Sequence, residues 1–148
     1  RLFASSVCWK SFHVLPRAMH LERKFLSASP SNMVSRMWEA AKNGDDDVVK
    51  DILAESAQHA HLTCEKHSRT PLHYAAHNGH HKVVKMLLDV GANPNACDSN
   101  GQTALHLCMP CGYTGCVVHL YNAGVDEGIK DKQGMTAYDT TIREGGGY

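Results

Sequence analysis

Apolar residues in the middle of the chain come in short bursts at helical spacing. Val83, Val84, Leu87 and Leu88 stand at i, i+1, i+4 and i+5, which predicts one buried stripe on a helix over 80–90. Before it, Leu72, Ala75 and Ala76 give a second short helix a narrow face of mostly small residues. Thr70 and Pro71 open that helix, a hydroxyl at the N-cap and then a proline where no N–H is needed. Asn78 and Gly79 end it, and Gly91 ends its successor. Val48, Val49, Ile52 and Leu53 repeat the stripe earlier in the chain and predict helices over 35–43 and 46–55. Asp45, Asp46 and Asp47 put negative charge at the N-terminus of the second of these, where the helix dipole favours it. Two short helices, each apolar on one side, cannot bury both faces against each other, so each pair requires neighbours.

The neighbours recur at a fixed period. Thr70, Thr103 and Thr136 are 33 residues apart, as are Gly79, Gly112 and Gly145. Gly91 and Gly124 share the interval, as do Asp98 and Asp131. The earliest stripe is offset by 35, which places two extra residues in a surface loop over 57–62, where insertion costs little. Such a period, with two helices per unit, predicts a stacked array.

The run T-P-L-H-Y-A-A-H-N-G-H, followed by V-V-K-M-L-L-D-V-G-A-N-P-N, resembles an ankyrin repeat closely. The resemblance implies a mainly α fold, an ankyrin-repeat solenoid of stacked helix-turn-helix units joined by β-hairpin fingers. It divides the chain into a non-repeat leader (1–32), a divergent N-terminal capping repeat (33–64), two full repeats (65–97 and 98–130) and the start of another (131–148). In the capping repeat, Arg36, Glu39 and Lys42 suit a water-facing outer surface, and the bulky Trp38 is expected to fill a gap at the end of the stack, the alternative being presentation to a partner. In this family the histidine of T-P-L-H bonds the threonine and nearby backbone, tying neighbouring repeats together; His73 and His106 stand there. At the next repeat Thr136-Ala-Tyr-Asp139 departs, predicting a capping box closed by an acid.

In the fingers, Asn100-Gly101 and Gln133-Gly134 are turn dipeptides that supply positive φ. Ser68 stands where those glycines stand and predicts modest strain in the first finger. Asp98 and Asp131 are placed to accept backbone hydrogen bonds at the finger base. Pro110, aligned with His77, lacks the N–H that the last helical turn requires and predicts a distorted end to that helix.

Composition narrows the function. Fifteen basic residues balance fifteen acidic ones, so no charge excess draws nucleic acid or an anionic membrane. No apolar run reaches the roughly 18–20 residues that span a bilayer. Six cysteines at irregular spacing predict reduced thiols and a cytoplasmic or nuclear protein. The chain starts at Arg1, which predicts a piece of a longer reading frame. Residues 1–32 hold five basic residues, six serines and one acid. That fits a mitochondrial presequence, or, as the favoured alternative, an untranslated leader or disordered tail before a start at Met19 or Met33. The last repeat stops at Gly145, where its second helix is due, and is expected to be truncated.

Candidate chemistry is sparse. Cys108-Met-Pro-Cys111, with Cys97 and Cys116, raises the alternative of a thiolate metal site, yet zinc wants four ligands and a second C-x-x-C is missing. The repeat register explains two of these: Cys108 stands where Ala75 does and Cys116 where Val83 does, as small hydrophobes. Eleven histidines show no pairing with a nucleophile or acid. No cofactor, metal or catalytic residue is assigned, and the chain is read as a non-enzyme. The family resemblance implies a monomeric module binding another protein on its concave face, with neither nucleic acid nor membrane as partner. The expected surface comprises Lys66, His67 and Arg69 on one finger, Ser99, Asn100 and Gln102 on the next, and Lys132, Gln133 and Met135 on the third. Tyr74, His77, Asn78, Leu107, Pro110 and Cys111 form its helical floor, with Tyr74 and Leu107 as apolar anchors. A further alternative is an accessory arm of a larger enzyme or channel.

Overall fold

The computed structural model of the 148-residue chain describes residues 30–144. The leader reading for residues 1–32 and the stop at Gly145 fall almost wholly or wholly outside them. The described helices from Val34 onward belong to one unit, which holds the repeats.

Among the described residues, seven α-helices and one 3₁₀ helix run in order: α1 (Pro30–Asn43), α2 (Asp46–Glu55), the 3₁₀ turn (Ala57–His61), α3 (Pro71–His77), α4 (His81–Asp89), α5 (Ala104–Cys108), α6 (Thr114–Asn122) and α7 (Ala137–Glu144). First helices stack on first helices, α3 on α5 and α5 on α7; second helices stack on second helices, α2 on α4 and α4 on α6. In the two full repeats the second helix also packs on its own first helix, α4 on α3 and α6 on α5. The solenoid predicted from the period is the fold observed.

The small-residue face lets this stacking be close. Ala40, Ala41, Ala75, Ala76, Ala104 and Cys108 are all buried along the first helices, while Val49, Ile52, Val83, Val84, Leu87, Cys116 and Leu120 fill the space behind them. Close approach is enforced at the bend between the helices as well. A Cβ on Gly79 would lie 2.7 Å from the ring of Tyr113, and one on Gly44 would lie 2.5 Å from the ring of His80, so the ring that follows each bend roofs the glycine of the preceding repeat. His81 and His119 add a stacked ring pair between α4 and α6, with centroids 6.4 Å apart.

Several details differ from the sequence expectation. The capping repeat's first helix begins at Pro30, earlier than 35. The 57–62 insertion is ordered: Ser56 Oγ accepts the Gln58 N–H at 3.3 Å, and Ala60 is buried as the 3₁₀ turn packs on α2 and α3. Pro110 shortens the helix as expected, since α5 has five residues where α3 has seven. The fingers are tight turns, with no strand among the described residues. Asp98 and Asp131 explain this: Asp98 Oδ1 takes the N–H groups of Asn100 and Gln102 at 2.8 and 3.0 Å, and Asp131 Oδ1 those of Gln133 and Met135 at 2.8 and 2.9 Å. With those donors committed to a carboxylate, a single backbone bond joins each pair of fingers, Ser99 N–H to the His67 carbonyl and Lys132 N–H to that of Asn100, both 2.9 Å.

Ser68 carries φ +50°, where Gly101 and Gly134 carry +76° and +79°. A non-glycine residue in that region costs roughly 1–2 kcal/mol, partly offset on replacement by the greater freedom of glycine in the unfolded chain. Ser68→Gly is therefore expected to stabilise the protein by about 0.5–1 kcal/mol, seen as a higher urea midpoint at unchanged m-value; a lower midpoint would show that the strain is absent.

Candidate partner-binding surface

The finger turns and the first helices share one side of the stack, and a single hydrogen-bond arrangement fixes how they meet. In the first full repeat the Thr70 backbone N–H donates to His73 Nδ1 at 3.1 Å, and the Thr70 hydroxyl donates to the same atom at 2.8 Å. Nδ1 is thereby the acceptor, so the proton sits on Nε2, which donates to the Gln102 carbonyl of the next finger at 3.1 Å. The second copy repeats it: Thr103 N–H and hydroxyl to His106 Nδ1 at 3.2 and 2.9 Å, and His106 Nε2 to the Met135 carbonyl at 3.2 Å. His73 and His106 are almost wholly buried, and burial pushes the His73 pKa down, against the pull of the Gln102 carbonyl and the Asp98 charge.

The two ends of this column use other groups. Trp38 occupies the histidine position of the capping repeat, and its indole Nε1 donates to the Leu62 carbonyl at 3.5 Å. The half-buried ring therefore acts as the bridging donor, a role its bulk alone did not suggest. Asp139 occupies the same position in the last repeat. Its Oδ2 takes the Thr136 N–H at 3.0 Å and hydroxyl at 2.8 Å, and the Asp139 N–H returns to Thr136 Oγ1 at 3.2 Å. These bonds, the backbone one first, hold the Asp139 carboxyl below its usual range.

The expected surface residues divide into three groups. Lys66, His67, Ser99, Asn100, Lys132 and Gln133 lie exposed at the three turn tips, with His77 exposed at the end of α3 and Cys111 in the turn after α5. Arg69, Gln102, Met135, Tyr74, Asn78 and Pro110 are half-buried, and several serve the stack itself. Arg69 Nε pairs with Asp98 Oδ2 at 3.1 Å, where the Asp98 side chain is fully buried. Gln102 and Met135 give their carbonyls to the histidines, and Asn78 Nδ2 donates to the Lys42 carbonyl at 2.9 Å. Leu107 is the exception: it is 8 % exposed and cannot anchor a partner. Helix α7 packs along α5, and leucine has no polar tip to hold it at the surface. Its counterpart Tyr74 keeps its hydroxyl at the edge beside Cys64; partial burial and this thiol raise the Tyr74 pKa.

Cys64 sits at the base of the first finger. Its N–H donates to the Arg69 carbonyl at 2.8 Å, as the Asp98 N–H donates to that of Gln102 at 2.9 Å, so a thiol stands where the later fingers place a carboxylate. Burial opposes its ionisation, but bonds from the Lys66 backbone, the Tyr74 hydroxyl and the His67 backbone, with the Lys66 charge, outweigh it and lower the pKa. Cys108 and Cys116 lie in the core, where burial drives their pKa values up to about 12 and about 11, and Cys97 and Cys111 are exposed. Thiols of that kind are poor metal ligands, and among the described residues no group of three or more His, Cys, Asp and Glu is gathered for a metal ion.

Large apolar side chains are exposed elsewhere: Val118 and Tyr121 on α6, Tyr138 and Ile142 on α7, and Tyr113 at the bend. Sequence reasoning passed over them. The available signal was register, since Tyr138 falls at the position of Leu72 and Leu105 but has no described second helix to cover it.

A family model for ankyrin repeats (3 copies) matches residues 37–137, the span of the histidine column and most of the helices. The chain belongs to the ankyrin-repeat family. It is similar to ankyrin repeat domain-containing protein 49 of Bos taurus, 38% identical over 76 residues, and to that of Homo sapiens, 36% over 76 residues. The matched stretch is 51% of this chain and 30% of each relative, so the chain corresponds to under a third of their length. Ankyrin repeats generally serve protein–protein interaction and are typically non-enzymatic.

The His73 geometry has a pH consequence. A histidine whose folded pKa lies below its unfolded value of about 6.5 stabilises the fold fully above that pH, and the contribution is lost as pH falls through the interval between the two. NMR titration of His73 should give the Nε2–H tautomer at pH 7.5 and a midpoint below that of free histidine; a midpoint at or above it would contradict the bridge.

Proposed function

We propose that this ankyrin stack is a non-catalytic module that binds a partner protein on the concave face made by its finger tips and first helices. The supporting observation is a division of labour. Fixed backbone and buried polar groups hold the turns, through the histidine bridges, the aspartate-closed turns and the Arg69–Asp98 pair. The side chains at the tips, Lys66, His67, Ser99, Asn100, Lys132 and Gln133, face solvent. Rigid elements carrying exposed polar groups suit recognition, because little order must be acquired on binding. Tyr74 is the apolar anchor of this face and the polar tips give specificity. The partner is a protein, the chain acts as a monomer, and its compartment is the cytoplasm or nucleus.

A second reading is favoured by one observation. The chain aligns to 30% of its relatives' length, so the stack can serve as the binding arm of a longer protein, an enzyme or channel included. In either case the face does the same work.

Affinity capture from source cells with the wild-type chain, compared with a Lys66→Ala, Asn100→Ala, Lys132→Ala variant and with Tyr74→Ala, tests this. These positions are exposed or half-buried at the edge of the stack, so urea midpoints should change little. Loss of a stoichiometric partner, or a drop in its affinity of at least about tenfold, is expected for both variants. Full retention by both would remove this face as the binding site.

A further inference from the structure

Cys108 and Cys111 bracket the turn that ends α5. The chain keeps a helical trace there beyond the regular helix. Met109 holds φ −64° and ψ −49°, and the ring of Pro110 fixes its own φ near the helical value. The Gly112 N–H returns to the Met109 carbonyl at 3.0 Å and the Tyr113 N–H to that of Cys108 at 3.2 Å. The same pair of bonds closes α3 through Gly79 and His80. Residues three apart on such a trace have Cα atoms about 5 Å apart and side chains about 60° apart around the axis. A disulfide accepts Cα separations of roughly 4.4–6.8 Å.

The two thiols differ in access. Cys108 is buried, its Sγ 3.6 Å from the Leu105 carbonyl, whereas Cys111 is exposed. Burial first, then the nearby Cys116 sulfur and, more weakly, that of Cys111 push the Cys108 pKa up to about 12, so this thiol stays protonated in the resting core. Cys111 stands where Asn78 donates to the Lys42 carbonyl one repeat earlier. A thiol is a weak donor, so less ties this turn to its neighbour. Cys64 lies at the base of the first finger and Cys97 just before the second, so neither shares the α5–α6 bend.

We infer that Cys108 and Cys111 form a reversible dithiol–disulfide couple that exchanges with small-molecule disulfides, a redox-sensitive latch at the end of α5. Exchange begins at Cys111, the member of the pair that solvent reaches. Its thiolate attacks one sulfur of the small disulfide and expels the other as a thiolate, leaving a mixed disulfide on Cys111. Local opening of the turn then frees Cys108, which gives its proton to water and attacks the Cys111 sulfur, expelling the second small thiolate. Two protein thiols are oxidised and one small disulfide is reduced to two thiols. The new bond turns the Cys108 sulfur away from the Leu105 carbonyl and removes an exposed thiol from the floor of the concave face. This chemistry stands whether or not that face binds a partner.

The test incubates the full reduced chain with oxidised glutathione, alkylates the remaining thiols and maps the peptides by mass spectrometry. A Cys108–Cys111 bond within one chain is expected, reversed by excess reduced glutathione. Exposed Cys97 serves as the internal reference for simple adduct formation. Cys108→Ala, which installs the residue found at the matching position 75, should halt at the first step. It should carry at least about tenfold more glutathione on Cys111 than the wild-type chain does. Cys111→Ser should leave Cys108 unmodified. Equal glutathione on Cys111 in the wild-type and Cys108→Ala chains would overturn the proposal. So would a bond from Cys111 to any other cysteine, or the absence of oxidation at both residues.

Discussion

A neutral imidazole shared between repeats is the constraint on which this structure depends. His73 and His106 each accept from the cap of their own helix and donate to the carbonyl of the following finger. One ring thus satisfies a helix N-terminus and gives a finger carbonyl, already bonded to the Asp98 or Asp131 N–H, its second donor. Each such bond contributes on the order of 1 kcal/mol net, but leaving a buried partner unsatisfied costs more. The arrangement works only with the proton on Nε2, and burial favours the uncharged ring that provides it. In the first and last described repeats, Trp38 retains the outward donor and Asp139 retains the inward acceptor, each half of the bridge.

The bridges set the register, and the packing is built on it. Stacking at this spacing needs small residues between first helices and a glycine beneath each roofing ring, and alanines, Cys108, Gly44 and Gly79 supply them. The fingers inherit their positions. Asp98 and Asp131 close the turns internally and Arg69 ties the first turn to the second, so the tips are presented in a row without a β-ladder. The same economy keeps the stack nearly one-dimensional, each repeat depending on its neighbours.

Much of this was legible in the sequence because a period does what a single motif cannot. Register placed Cys108 and Cys116 in the core, assigned the caps to Thr70, Thr103 and Thr136, and located the strain at Ser68 and the distortion at Pro110. The features that escaped it depended on contacts rather than period. Leu107 was expected at the surface because Tyr74 lies at its edge, yet the two side chains differ in whether they have a polar tip. Trp38 breaks the T-x-x-H spelling, so its donor role emerges only when Leu62 is seen opposite. The ordered 57–61 turn depends on Ala60 being buried against α2 and α3.

Amide hydrogen exchange at the fingers probes the bridging histidines most directly. The Ser99 and Lys132 N–H groups each donate to the preceding finger, so their protection reports whether adjacent fingers are held together. If the rings set the finger row, His73→Ala should expose Ser99 and His106→Ala should expose Lys132, each more than amides in α4. Protection unchanged at both, or lost uniformly along the chain, would contradict a stack whose finger row is positioned by its histidines.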